Sequence, residues 1–257
     1  MTVLQGAVLF AAALLGGALN AVAGGGSFLV LPALVFSGIG TKAANATTTV
    51  ALWPGAVASA GAYRKELRAQ HSLLWLLGSI SVVGGVLGAL IFLNTPQKTF
   101  SHLIPYLMLV ATVLFTFGGP AAERLRDRMA TRQLAPRVAT IGVALLQIPI
   151  SLYGGYFGGG MSILMLATLS LTGMKNLHAM NALKVILAAC INGVAVLTFI
   201  IAGAVAWPQA LVMIVGAIIG GYGGAHIARR LDQRLVRRFV IFVGCLMTVI
   251  FFIVYGF

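Results

Sequence analysis

A chain of 257 residues that is 60% hydrophobic, only 8% charged and of mean hydropathy +1.03 cannot hide its apolar side chains in a water-soluble core. Lipid must solvate most of it, which excludes a soluble globular enzyme and points to an all-α polytopic membrane protein. The net charge of +13 is no argument for nucleic acid, because the basic residues cluster in short stretches between apolar runs, as positive-inside topology requires.

Uncharged runs cover residues 2–41, 43–63, 99–122, 138–174, 185–228 and 239–257. At about 20 residues per crossing, several of them hold more than one segment. In chain order the segments read 3–22, 26–38, 42–63, 72–93 and 98–118, then 138–157, 161–173, 179–203, 208–228 and 238–257. The first ends in Ala21-Val22-Ala23 like a signal peptide, but it lacks a basic start and has a counterpart at 138–157. It is therefore expected to stay in the mature protein. Cys190 and Cys245 lie in apolar segments without CxxC or histidine-rich context, which reads as two inert thiols and no metal site.

The second five segments repeat the first. A shift of 136 residues aligns Asn45-Ala46 with Asn181-Ala182, Gly84-Gly85 with Gly220-Gly221, Gly88-Ala89 with Gly224-Ala225, and Gln97 with Gln233. Gly24-Gly25-Gly26 matches Gly158-Gly159-Gly160 at a shift of 134. Ordered matches at nearly constant spacing indicate a duplication. It divides the chain into an N-terminal transmembrane repeat, 1–118, a basic linker, 119–137, and a C-terminal transmembrane repeat, 138–257.

Arg64, Lys65 and Arg68 follow the third segment, five arginines fill the linker, and Arg229, Arg230, Arg234, Arg237 and Arg238 follow the ninth. Positive charge assigns all three stretches to the cytoplasm, and the nearly bare loops at 94–98 and 203–208 to the outside. Corresponding loops then take opposite sides, so the repeats are expected to be inverted, with both termini external. The first two segments of each half make either two full spans or a re-entrant pair meeting at the triple glycine. The shortness of the second member favours re-entry.

Successive glycines unwind a helix, and a new helix starting after them presents free N–H groups and the positive end of its dipole. Two such starts, at Ser27 and at Met161-Ser162, would face a shared site suited to an anion; the bland reading is that the glycines only permit close packing. The four acidic residues, Glu66, Glu123, Asp127 and Asp232, all fall between segments, which argues against a cationic substrate and carboxylate-based coupling. Asn45 and Asn181 stand at equivalent places, where an amide could meet an oxyanion or tie down the broken backbone. Lys184, three residues after Asn181, reads either as an anion ligand or as a lysine snorkelling to the surface. Lys175 and Lys42 belong to short connections, and His178 reads more readily as a capping residue than as a proton carrier. The threonines at 47, 48 and 49 could add hydroxyl donors. No Walker, HExxH, GxSxG or CxxC pattern occurs, so neither a cofactor nor an enzymatic activity is expected.

Gly24-Gly25-Gly26-Ser27 with Pro32-Ala33-Leu34 and Asn45-Ala46-Thr47, echoed by Gly158-Gly159-Gly160 and Asn181-Ala182-Leu183-Lys184, resembles the TauE/SafE sulfite exporter family across essentially the whole chain. The resemblance implies a carrier of the bacterial inner membrane for a small anion such as sulfite, a sulfonate, a related organosulfur compound or a small carboxylate. Leu166 stands where Pro32 would align and Lys184 stands opposite Thr48, so the two half-sites need not contact substrate equally. Alternating access is the expected mechanism; an anion channel or a non-transporting membrane subunit are the rivals. The partners expected are the substrate anion and the lipid bilayer, and not nucleic acid. A coupling ion, proton or sodium, and a homo-oligomeric state stay open.

Overall fold

Long uninterrupted apolar segments in lipid have to pair their own amides, and the helix is the structure that does so within one segment. The computed structural model describes residues 1–22, 24–62, 71–131, 136–172, 174, 177–227 and 233–256. The described residues form α-helices and contain no strand: α1 Val3–Val22, α2 Ser27–Phe36, α3 Thr41–Ala62, α4 His71–Asn94, α5 Gln97–Thr131, α6 Pro136–Tyr156, α7 Met161–Leu169 with a 3-10 turn Ser170–Thr172, α8 Leu177–Ile201, α9 Trp207–Ile227 and α10 Gln233–Tyr255. The protein is an all-α polytopic membrane protein. Among the described residues, α1, α4, α5, α6, α8 and α10 are long and apolar enough to cross a bilayer. α2 has 10 residues, about 15 Å of helix, or half of a ~30 Å hydrocarbon layer.

The packing partners follow a rule of exchange. α1 lies along α9 as α6 lies along α4; α3 meets α9 as α8 meets α4; α3 also meets α8, and α5 meets α10. Each of these pairings recurs, or maps onto itself, when a helix is replaced by the one five places on. Two contacts join residues separated by 136 positions: Thr112 Oγ1 to Thr248 Oγ1 at 3.3 Å, and Trp53 Nε1 donating to the Ala189 carbonyl at 3.0 Å. Close approach explains the glycine pairs in α4 and α9. A Cβ at Gly220 would strike the Leu14 carbonyl, and one at Gly88 the Leu152 carbonyl, so these helices touch backbone to backbone. Large apolar side chains face outward on most helices, among them Val83, Phe117, Ile141, Leu211, Phe242 and Ile253. In water such a surface would drive association; in lipid it is the solvated face.

α5 does not stop where the linker was expected to begin. It continues from 118 through Thr131 and carries Glu123, Arg124 and Asp127 as exposed residues of its last turns. Residues 119–131 are therefore helix, despite Pro120. A proline cannot donate to the carbonyl four residues earlier, here Thr116. Arg237 fills the gap: its Nη2 donates to the Thr116 carbonyl at 3.0 Å and to the Phe115 carbonyl at 3.2 Å. Expected in a cytoplasmic loop, Arg237 instead sits half-buried in α10. Gly119 leaves room for its guanidinium, which a Cβ there would approach to 3.0 Å.

Arg64, Lys65, Arg68, Arg132, Arg229, Arg230, Glu66 and Asp232 lie outside the described residues. Replacing Arg237 by methionine keeps the length of the side chain but removes the donors. The variant should lose about 2 kcal/mol of stability, read as a lower melting temperature of purified protein; an unchanged melt would mean that α5 holds without the arginine.

Candidate functional site

α2 and α7 start directly after the two glycine triplets, at Ser27 and Met161. Gly24 with φ 82° and Gly158 with φ 81° hold the same left-handed conformation at the same place in each triplet, which a residue with a Cβ would resist. Gly160, at φ 79°, adds a second such turn before α7, whereas Gly26 is already right-handed at φ −58°. The chain reverses here at the cost of its amide pairing. Among the described residues no carbonyl accepts from the amides of Gly25, Gly26 and Ser27, nor from those of Gly159, Gly160, Met161 and Ser162. Gly25, Gly26, Gly159, Gly160 and Met161 are buried, while Gly24, Ser27, Gly158 and Ser162 are half-buried.

The two breaks are neighbours. A Cβ placed on Gly24 would lie 3.6 Å from Ser162 Oγ, so the turn before α2 touches the first turn of α7. Side chains hold the second break in place from two directions. Tyr153 donates its hydroxyl to the Gly159 carbonyl at 2.6 Å, and Asn45 Nδ2 donates to the carbonyl of Tyr156, the last residue of α6, at 3.2 Å. Asn192 lies beside it, with Oδ1 3.7 Å from where a Cβ on Gly158 would be.

Asn45 therefore ties down broken backbone, one of the two roles its position allowed. Asn181 holds the equivalent place in α8, yet among the described residues it makes no hydrogen bond. It belongs to a stripe with Lys184, Ala188 and Asn192, spaced three, four and four residues apart on one face of α8. The adjacent stripe, Met180, Leu183, Leu187 and Ile191, packs into an apolar cluster with Met161 and Met165. Because its side chain is committed to that cluster, Met161 can offer a ligand only its backbone. Lys184 is half-buried, and no described carboxylate or carbonyl meets its ammonium. Lys175 lies outside the described residues, as does the side chain of His178.

Lys42 is differently placed from Lys184. It lies in the first turn of α3, where Nζ donates to the carbonyls of Leu93 at 2.8 Å and Thr95 at 2.6 Å, over the Phe92 ring at 5.5 Å. A cation at the carbonyl end of α4 meets the negative pole of that helix. Phe92 in turn packs on Phe100, Phe199 and Tyr156, with ring centroids 4.9, 5.1 and 5.7 Å away. This aromatic knot holds Tyr156 and, through Asn45, the second break. Chain-local reading could not have found it, because its members come from α4, α5, α6 and α8.

The asymmetry between the two asparagines has a measurable consequence. Asn45→Ala should cost about 1 kcal/mol by orphaning the Tyr156 carbonyl, whereas Asn181→Ala should stay within about 0.5 kcal/mol of the parent. Melting curves of the two purified variants test this, and equal losses would mean that Asn181 has a structural partner.

A family profile described as "Sulfite exporter TauE/SafE" matches residues 9–251. Over 244 residues the chain is 25% identical to a "Probable membrane transporter protein" of Haemophilus influenzae, covering 94% of this chain and 92% of that protein. It is 28% identical over 243 residues to the "Probable membrane transporter protein YfcA" of Escherichia coli strain K12, covering 94% and 87%. A "Probable membrane transporter protein ORF9" of a Sinorhizobium species is 28% identical over 240 residues, covering 93% and 88%. No solved structure matches the chain.

Proposed function

The chain belongs to the sulfite exporter TauE/SafE family, and from that premise we propose that it is a secondary transporter moving a small anion across the bacterial inner membrane. The relatives are named as membrane transporters without a stated substrate. The observation that carries the anionic sign is the pair of adjoining helix starts. Seven amides, at Gly25, Gly26, Ser27, Gly159, Gly160, Met161 and Ser162, have no carbonyl partner among the described residues and belong to two chain breaks that touch where Gly24 meets Ser162. Donors and dipole ends of this kind favour negative charge.

Lys184 supports the same sign, since it is a half-buried cation of α8 with no partner among the described residues. The acidic residues all lie between the apolar segments of the sequence, and among the described residues Glu123 and Asp127 are exposed, away from the glycine breaks. A sulfonate, sulfite or small carboxylate has the oxygens to accept from several amides at once. In this reading the two halves are inverted repeats, and the site opens to either side as one half rocks against the other.

Neutralising Lys184 with methionine should weaken apparent anion affinity about tenfold, the equivalent of ~1.4 kcal/mol, in flux measured from proteoliposomes. Unchanged affinity would return Lys184 to the snorkelling role. Saturable flux with trans-stimulation is expected of the carrier, whereas unsaturable flux with unitary currents would make it a channel.

The topology is tested by single cysteines introduced at Lys98, Ala202 and Arg124, all exposed positions, in a background lacking Cys190 and Cys245. Membrane-impermeant label should reach positions 98 and 202 from outside and position 124 only from the cytoplasm. The opposite pattern would overturn the orientation.

A further inference from the structure

Three threonines stand in succession near the start of α3, and the fold uses two of them. Thr47 Oγ1 accepts from the Ala206 amide at 3.0 Å, and Thr49 Oγ1 donates to the Asn45 carbonyl at 3.1 Å. Thr48 lies between them, 3% exposed, and its hydroxyl meets no partner. Among the described residues it is the buried side-chain oxygen or nitrogen left in that state. A helical threonine ordinarily avoids it by donating to the carbonyl four residues back, as Thr116 and Thr198 do. An unpaired buried hydroxyl destabilises the fold and calls for an explanation.

Its place supplies one. Thr48 follows Asn45 by three residues on the same face of α3, and Asn45 reaches the end of α6 just before the second glycine break. In the other half the equivalent position, 136 residues on, is Lys184. One half therefore contributes a cation at this position and the other a neutral hydroxyl. Lys42 and Arg237, the other half-buried cations among the described residues, are held on backbone carbonyls.

We propose that Thr48 is a substrate-contacting, specificity-determining residue whose neutral hydroxyl, standing where the other half carries Lys184, favours monovalent over divalent anions. The inference rests on the anion-site reading above. A hydroxyl can donate to an oxyanion without adding charge. Among the described residues no further half-buried cation is free to meet a second negative charge on the ligand, and an uncompensated charge is strongly disfavoured in a lipid-embedded site.

The test uses purified full-length protein, with ligand binding read as a thermal shift against two monovalent anions, isethionate and lactate, and two divalent ones, sulfate and succinate. At least one monovalent anion should stabilise the parent protein, and the divalent anions should not. Thr48→Val should raise the half-saturating concentration of the bound anion at least tenfold. Its ligand-free melting temperature should equal or exceed that of the parent, because the unpaired hydroxyl is gone. Thr48→Ser should bind within about threefold of the parent.

Three results overturn the inference alone: parent-like binding by Thr48→Val, divalent anions binding as tightly as monovalent ones, or a marked fall in the ligand-free melt of Thr48→Val, which would mean that the hydroxyl is paired within the protein. Failure of all four anions to bind the parent would instead remove the anion-site reading, and this inference with it.

Discussion

Inside a bilayer, a backbone amide or carbonyl without a partner has no water to fall back on, and this chain interrupts its helices at several places where that matters. Most interruptions are answered by a named donor. Pro120 frees the Thr116 carbonyl, and Arg237 reaches across from α10 to take it. The C-terminal carbonyls of α4 are taken by Lys42, and the last carbonyl of α6 by Asn45. Beside these, the amides at the starts of α2 and α7 meet no carbonyl among the described residues, and they are the donors on which the proposed anion site draws.

The two halves divide the labour unequally. In the first, Asn45 is spent on the backbone and Thr48 is left open; in the second, Asn181 and Lys184 are both uncommitted. Positions 136 residues apart thus share a packing frame without sharing a chemistry.

Much of the fold was legible because the strongest signals are local. Apolar runs and their lengths placed the helices, and the triplets placed the starts at Ser27 and Met161, since glycine succession and helix restart are properties of adjacent residues. The extension of α5 was not legible. Gly118-Gly119-Pro120 reads as an ending by every local rule, and what overrides it is an arginine from the last helix. In sequence Lys42 belongs to a short connection and Lys184 reads as an anion ligand or a snorkelling lysine, and neither reading sees the packing: the α4 terminus comes to Lys42, and nothing described comes to Lys184. The unpaired state of Thr48 was likewise invisible, since the hydroxyls of Thr47 and Thr49 have the same chemistry and differ only in what surrounds them.

The contact between Thr112 and Thr248 joins equivalent residues of the two halves. A hydroxyl both donates and accepts, so threonine is complementary to itself, as lysine or aspartate is not. Self-complementarity of this kind is the mark of an isologous interface, in which one surface meets a copy of itself. A half-length chain carrying that threonine could close the same contact with a second molecule of its own kind. Seen this way, the contact of α5 with α10 has the form of a homodimer interface carried on a single polypeptide, and a change at either threonine alone would unbalance a contact between like residues.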